Sequence, residues 1–228
     1  MPRVVITGAE QGLGLELARV YAAAGWEVVA GCLHRATAAI TTLAESASRV
    51  VVLGLDVTSD GSVAAFADQL REEPVDVLIN NAGIHRRKWS VPESVVFADW
   101  EDTLRVNTLG PARVSFALRP SLVAANSAKL VTISSNWGSL TQHPRTAYDY
   151  ASSKAAVNSV MRGLAANWSK DGITVLMIHP GRLRTAMGGK DAPMMPDEGA
   201  RLVKAVIDNA TADDTGRFLD NAGRDVPW

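Results

Sequence analysis

At 228 residues, 47% of them hydrophobic and 21% charged, the chain has the composition expected of one globular domain with a full-sized core. A net charge of −1 argues against nucleic acid or an anionic membrane as the main partner, and no apolar run is long enough to span a bilayer. Cys32 stands alone, which excludes an internal disulfide, and His34, His85, His143 and His179 lack the spacing of metal ligands, so no metal is expected.

Met-Pro-Arg leads straight into a strand at Val4-Val5-Ile6, with no signal-peptide pattern, so a cytoplasmic location is expected. A glycine turn follows, Thr7-Gly8-Ala9-Glu10-Gln11-Gly12-Leu13-Gly14. Leu13 to Ala24 reads as a helix stopped at Gly25. Strands are expected at Val28–Ala30, Val50–Leu55 and Val75–Ile79, with helices from about Ala36 to Ala47 and from Ser59 to Arg71 between them. Asp99 to Ala125 reads as one long helix, bent or ended in part by Pro111 and Pro120. Strands at Leu130–Ile133 and Thr174–Ile178 flank a helix from about Tyr150 to Ser169. A helix near Glu198–Asn209 precedes a short strand at Arg217-Phe218-Leu219.

Alternation of apolar strands with helices implies an α/β fold, a parallel sheet covered on both faces and doubly wound by right-handed crossovers. No linker, repeat or low-complexity stretch divides residues 1–228, so a single domain is expected. The least regular segments, 84–98, 136–147 and 183–196, follow strand C-termini, where open α/β sheets bind ligands.

One end of the pattern suits a dinucleotide. Gly8, Gly12 and Gly14 let the backbone turn tightly and approach a pyrophosphate, and the helix entered through Gln11 and Leu13 offers free N–H groups to anionic oxygens. Asp56-Val57 ends the third strand, where a carboxylate can accept the adenine amino group; a turn or helix-cap role is the other reading. Asn80-Asn81-Ala82-Gly83 ends the fourth strand, where small residues let the backbone pass the adenosine ribose, unless it is only a turn. Pro180-Gly181 follows the sixth strand, and the hydroxyl of Thr185 can reach a nicotinamide carboxamide.

The other end suits proton transfer. Tyr150 and Lys154, four apart, share a helix face, and a neighbouring ammonium is expected to lower the phenol pKa from its usual value of about 10. Ser135 is the expected oxyanion-type donor and Ser134 is structural. Tyr148 does not share a face with Lys154. Asn107 is either a buried hydrogen-bonding residue or the holder of a water in a proton relay.

Thr7-Gly8-x3-Gly12-x-Gly14, Asp56, Asn80-Asn81-Ala82-Gly83, Asn107, Ser135, Tyr150-x3-Lys154 and Pro180-Gly181-x3-Thr185, in this order, resemble the short-chain dehydrogenase/reductase family in its compact form. His179-Pro180-Gly181 through Gly189, and the ending Gly216-Arg217-Phe218-Leu219-Asp220, are similar to the branch of sniffer-type carbonyl reductases and bacterial C-factor proteins. The resemblance covers nearly the whole chain. It implies a Rossmann sheet of seven parallel strands in the order 3-2-1-4-5-6-7. It also implies reduction of a ketone, aldehyde or quinone, or the reverse, with Tyr150 as acid/base, Ser135 steadying the oxygen, Lys154 holding ribose hydroxyls and Asn107 fixing a water. A homodimer or homotetramer is implied, paired through helices that carry Leu109, Phe116, Val157 and Val160. The alternative is a nucleotide-binding signalling protein of the C-factor type without chemistry of its own.

Three positions depart from the family pattern: Ala186 where the branch carries an acid, Leu33 where NADP-dependent members often carry arginine, and two extra residues between Ser135 and Tyr150. No carboxylate stands at Gly31 to Arg35, where NAD-preferring folds place one, and His34 and Arg35 offer attraction to a 2′-phosphate. NADP(H) is therefore expected over NAD(H), with NAD(H) use possible. Trp137, Leu140, His143, Tyr148, Leu183, Met187, Met194 and Met195 are the expected substrate-pocket residues, and His85-Arg86-Arg87-Lys88-Trp89 forms a basic loop.

Overall fold

The computed structural model of the chain describes residues 1–34, 37–70, 73–86, 91–142, 144 and 146–228. Seven strands, β1 (Arg3–Thr7), β2 (Glu27–Cys32), β3 (Val50–Gly54), β4 (Val77–Asn80), β5 (Lys129–Ile133), β6 (Thr174–His179) and β7 (Phe218–Asp220), form one parallel sheet in the order β3-β2-β1-β4-β5-β6-β7. β1 lies between β2 and β4, with Val4 opposite both Val28 and Val77. The order reverses beside β1, which creates the crevice where such sheets bind ligands.

Side chains alternate along each strand, and the sheet separates two cores. Val4 and Ile6 pack on one face under α1 (Gly12–Ala23), α2 (Ala38–Ser46) and α8 (Pro196–Asn209), through Leu17, Tyr21, Ile40 and Val203. Val5 and Leu78 pack on the other face under α3 (Asp60–Leu70), α5 (Gly110–Ala117) and α7 (Tyr148–Trp168), through Phe66, Val114, Val157 and Met161. α4 (Phe97–Leu104) and α6 (Arg119–Ala124) extend this second layer. The strands read as unbroken apolar runs because both faces are covered.

The expected helix over 99–125 is four pieces. Between α4 and α5 the chain widens into a π-helical turn, Arg105–Leu109, in which the N–H of Gly110 donates to the Arg105 carbonyl. Pro111 has no N–H for the Asn107 carbonyl and its ring crowds that oxygen, so the extra residue in the turn absorbs the misfit. Pro120 sits in the first turn of α6, where its missing N–H costs nothing. α7 begins two residues earlier than expected, entered from Ala147 in the left-handed region with φ 54°. Among the described residues no helix is long and apolar enough to cross a membrane.

Candidate active site

A cleft of about 1160 Å³ opens at the C-terminal ends of the strands. The glycine turn forms one wall. Gly8 and Gly12 hold φ of 65° and 56°, a region that favours glycine. The Gly8 N–H bonds the Gly31 carbonyl at 2.8 Å, folding the turn onto β2. A Cβ on Gly8 would lie 2.8 Å from the Ala82 Cα, so the backbones of the β1 and β4 ends touch. Thr7 and Asn81 hold these ends together. The Thr7 hydroxyl accepts the N–H groups of Asn81 and Ala82, each at 3.0 Å, and the Asn81 amide donates to the Thr7 and Gly8 carbonyls at 3.0 Å. Sequence reading assigned no role to Asn81.

The cleft fits a dinucleotide on its own geometry. Gln11 gives α1 no side-chain cap, so the first-turn N–H groups at Gly12 and Leu13 remain for an anion such as a pyrophosphate. Gly8, Gln11, Gly12, Leu13, His34, Asp56, Val57, Ala82, Gly83, Pro180, Gly181 and Thr185 all line the space. Two of the expected cofactor residues do not. A Cβ on Gly14 would meet the Gly8 carbonyl oxygen at 2.2 Å, so this glycine packs α1 against the turn. Asn80 shares the Leu78 side of β4 and donates to the Ser115 hydroxyl at 3.0 Å, buried beneath α5. Asp56 serves both of its readings: it lines the cleft while Oδ1 accepts the Thr58 N–H at 2.8 Å and hydroxyl at 2.7 Å. Thr185 is also shared, since its hydroxyl accepts the Gly188 N–H at 3.1 Å. Arg35 lies outside the described residues.

Tyr150, Lys154 and Ser135 meet across the cleft from the glycine turn. Lys154 is 5% exposed, donates to the Ile133 carbonyl at 2.8 Å and lies 5.6 Å from the centre of the Tyr150 ring. Ser135 lies beside the Tyr150 phenol in the cleft, and its hydroxyl donates to Asn136 Oδ1 at 3.4 Å and accepts the Trp137 N–H at 3.2 Å. Ser134 turns inward to the Asn158 carbonyl oxygen at 2.6 Å, a structural contact. Tyr148 stands outside the cleft lining. Asn107 is fully buried in the π-helical turn. Its Oδ1 accepts the Ile84 N–H at 2.8 Å, and its Nδ2 donates to the Ile84 carbonyl at 2.8 Å and to Ser153 Oγ at 3.0 Å. The side chain thus pins the segment after β4 to α7, and every polar atom of its amide group is engaged.

The expected lowering of the Tyr150 pKa is not found. Burial pushes the phenol up to about 12, and the neighbouring Ser135 hydroxyl pulls only partly against it. Burial pushes Lys154 down to about 8. Desolvation of both groups, not their mutual field, dominates. An aromatic group surrounds the phenol: His85 stacks on Tyr150 with centroids 4.6 Å apart, and Trp137 stands edge-on at 6.0 Å. Sequence reading placed His85 only in a basic loop. Of that loop, Arg86 pairs with Asp102 at 3.2 Å, and Arg87, Lys88 and Trp89 lie outside the described residues.

Trp137, Leu183 and Met187 line the cleft as expected. Leu140 and Met195 are 75% and 48% exposed and stand outside it, and Met194 packs against the core below α8. His143 lies outside the described residues.

Sheet order and a cleft at the reversal point define a doubly wound α/β fold of the dinucleotide-binding type. Residues 2–196 match the family described as short chain dehydrogenase, and the chain belongs to that family. The C-signal protein of Myxococcus xanthus is 38% identical over 165 residues, 72% of this chain and 99% of that protein. The carbonyl reductase Sniffer of D. melanogaster superposes with a TM-score of 0.93 at 25% identity, over 100% of both chains. An NADPH-bound carbonyl reductase from chicken fatty liver has a TM-score of 0.91 at 29% identity, covering 100% of this chain and 99% of that one.

Proposed function

We propose that this chain reduces a ketone, aldehyde or quinone to an alcohol, with NADP(H) as the favoured cofactor and NAD(H) accepted. The observation that carries the reading is the meeting of Ser135, Tyr150 and Lys154 in the cleft that the glycine turn closes, with Lys154 one helical turn on from Tyr150 and 5.6 Å from its ring centre. A bound nicotinamide cofactor supplies the hydride. Tyr150 gives its proton to the substrate oxygen; a phenol held near 12 is protonated at neutral pH, the form that reduction consumes. Ser135 steadies the same oxygen by hydrogen bonding. Lys154 holds the cofactor ribose. The Asn107 side chain is engaged with Ile84 and Ser153, so its part in a water relay falls to its backbone carbonyl, which Pro111 leaves without an N–H partner at the helical spacing.

Rings and alkyl groups from His85, Trp137, Leu183 and Met187 favour an apolar, planar carbonyl compound. NADPH in the chicken carbonyl reductase supports the cofactor choice. A panel of carbonyls and alcohols, run with both nicotinamide cofactors, tests the reading; no turnover of any carbonyl with either cofactor would contradict it.

The similarity to the C-signal protein supports a second reading, in which the chain binds a dinucleotide and acts in signalling. The convergence of Ser135, Tyr150 and Lys154 on one cleft favours the enzyme, because binding alone has no use for a positioned proton donor. Association is proposed through the face that carries Leu109 and Phe116, which are 47% and 57% exposed. Val157, expected in that contact, is fully buried in the core of its own chain, and Val160 packs partly buried beside it.

A further inference from the structure

One face of α7 carries, at successive helical turns, Tyr150, Lys154 and a third polar residue, Asn158. Asn158 is 2% exposed and stands outside the cleft lining. Its Oδ1 accepts the Ser134 hydroxyl at 2.6 Å, and its Nδ2 makes a longer bond, 3.5 Å, to the Gly138 carbonyl. A carbonyl oxygen can only accept, which turns Nδ2 toward Gly138 and leaves Oδ1 for Ser134. Gly138 lies directly on the helix: a Cβ there would meet Asn158 Nδ2 at 2.9 Å and the Lys154 carbonyl carbon and oxygen at 3.0 Å. One turn nearer Tyr150, Lys154 donates to the Ile133 carbonyl at 2.8 Å. The chain leaving β5 is thus tied to α7 at Ile133, Ser134 and Gly138, and Ser135 lies inside that span. Ser135 itself bonds within its own turn: its carbonyl accepts the Gly138 N–H at 2.8 Å and its hydroxyl accepts the Trp137 N–H at 3.2 Å.

Two groups from different elements must meet one substrate oxygen, Ser135 from the end of β5 and Tyr150 from α7. A misplacement of ~1 Å between such groups can cost roughly 10²-fold in rate. The bonds inside the Ser135–Gly138 turn set its shape and not its place relative to Tyr150. Placement needs a bond from the turn to the helix that bears Tyr150, and Lys154 holds only the strand end before it. We infer that Asn158 is a positioning residue for the reaction: from the helix on which Tyr150 stands, it grips the residue before Ser135 and the turn after it, and so holds Ser135 in register with Tyr150. Its burial keeps water from competing for these bonds, which makes the grip stiff. The inference rests on the proposed role of Ser135 in steadying the substrate oxygen.

Single-turnover reduction of a reactive quinone or aldehyde by Asn158→Leu and by Ser134→Ala, each made in the wild type and in Ser135→Ala, tests it. Leucine keeps the branching of asparagine and removes both bonds; Ser134→Ala removes one and changes little else. Ser135→Ala alone is expected to lower the rate by about 10²–10³-fold. In the wild-type background Asn158→Leu is expected to lower it roughly tenfold and Ser134→Ala a few-fold. NADPH affinity, read by fluorescence, should stay within a few-fold of the wild type, because Lys154 keeps its bond to Ile133. In the Ser135→Ala background both changes should alter the rate by less than about twofold, since a residue that acts through Ser135 has nothing left to place. Equal fold-losses in the two backgrounds overturn the inference, as does a wild-type rate in Asn158→Leu, and either result leaves the proposed function standing. Should Asn158→Leu not fold, Ser134→Ala in the two backgrounds decides alone. A Ser135→Ala protein as fast as the wild type overturns the role of Ser135 and the inference with it, and no reduction by the wild type overturns the proposed function itself.

Discussion

The imidazole of His85 lies against the phenol of Tyr150, centroids 4.6 Å apart and planes 27° apart, while the Trp137 indole meets both rings edge-on. The phenol is therefore held by rings on two sides, with Ser135 beside it in the cleft. Such ring contacts are worth about 0.5–1.5 kcal/mol each, enough to bias one orientation. His85→Ala is expected to lower kcat roughly tenfold by loosening the phenol, and His85→Phe to restore most of it. Equal losses in the two variants would show that the imidazole acts through its own proton chemistry and not as a ring.

Lys154 makes stability depend on pH. Burial lowers its native pKa to about 8 from a usual value near 10.5. Between those values the unfolded chain binds more protons than the native one, so this residue makes the free energy of unfolding rise with pH through that window. Below pH 8 it is a cost that remains in full. Lys154→Met should be inactive, yet more stable than the wild type at pH 7 by about 1–3 kcal/mol, with the difference shrinking toward pH 10. Urea unfolding of both proteins at several pH values measures this; a difference that grows with pH would reverse the assigned direction.

Ala147 enters α7 with φ 54° and ψ 48°, three residues before Tyr150. A side chain in this region costs about 1–2 kcal/mol, and glycine escapes much of that while losing more chain entropy on folding. Ala147→Gly is expected to stabilise the protein by about 0.5–1 kcal/mol, read from urea midpoints. A destabilised variant would mean that the methyl group, fully buried here, contributes more by packing than the strain costs.

The sheet was legible because its strands are continuous apolar runs between helices, and the pairing of Tyr150 with Lys154 because helical spacing puts both on one face. Residues whose roles depend on facing were not. Asn80 and Asn81 are adjacent and chemically identical; alternation along β4 sends Asn80 under α5 and leaves Asn81 to bind the glycine turn. Tyr150 shows a balance of forces: the spacing told of a nearby ammonium, but the depth of burial that raises the phenol pKa emerges only from the packed cleft. Pro111 pointed to a break in the long helix; the π-helical form of that break, with Asn107 inside it, depends on how α4 and α5 pack on α7.

Leu109 and Phe116, two helical turns apart and exposed, give the molecule an apolar face. Association through it is expected to be lost in a Leu109→Glu, Phe116→Glu double variant, with the secondary structure unchanged. Sedimentation velocity at micromolar concentration checks this. A wild type that sediments only as a 24.2 kDa species would remove the interface from the account.

The central claim is that Tyr150 is the proton donor in carbonyl reduction. Its most direct test compares the wild type with Tyr150→Phe in single-turnover reduction of a reactive quinone or aldehyde, alongside fluorescence titration of the reduced cofactor. The account predicts a rate lower by about 10²–10⁴-fold with cofactor affinity within a few-fold of the wild type. Reduction by Tyr150→Phe at close to the wild-type rate, with cofactor bound, would contradict it.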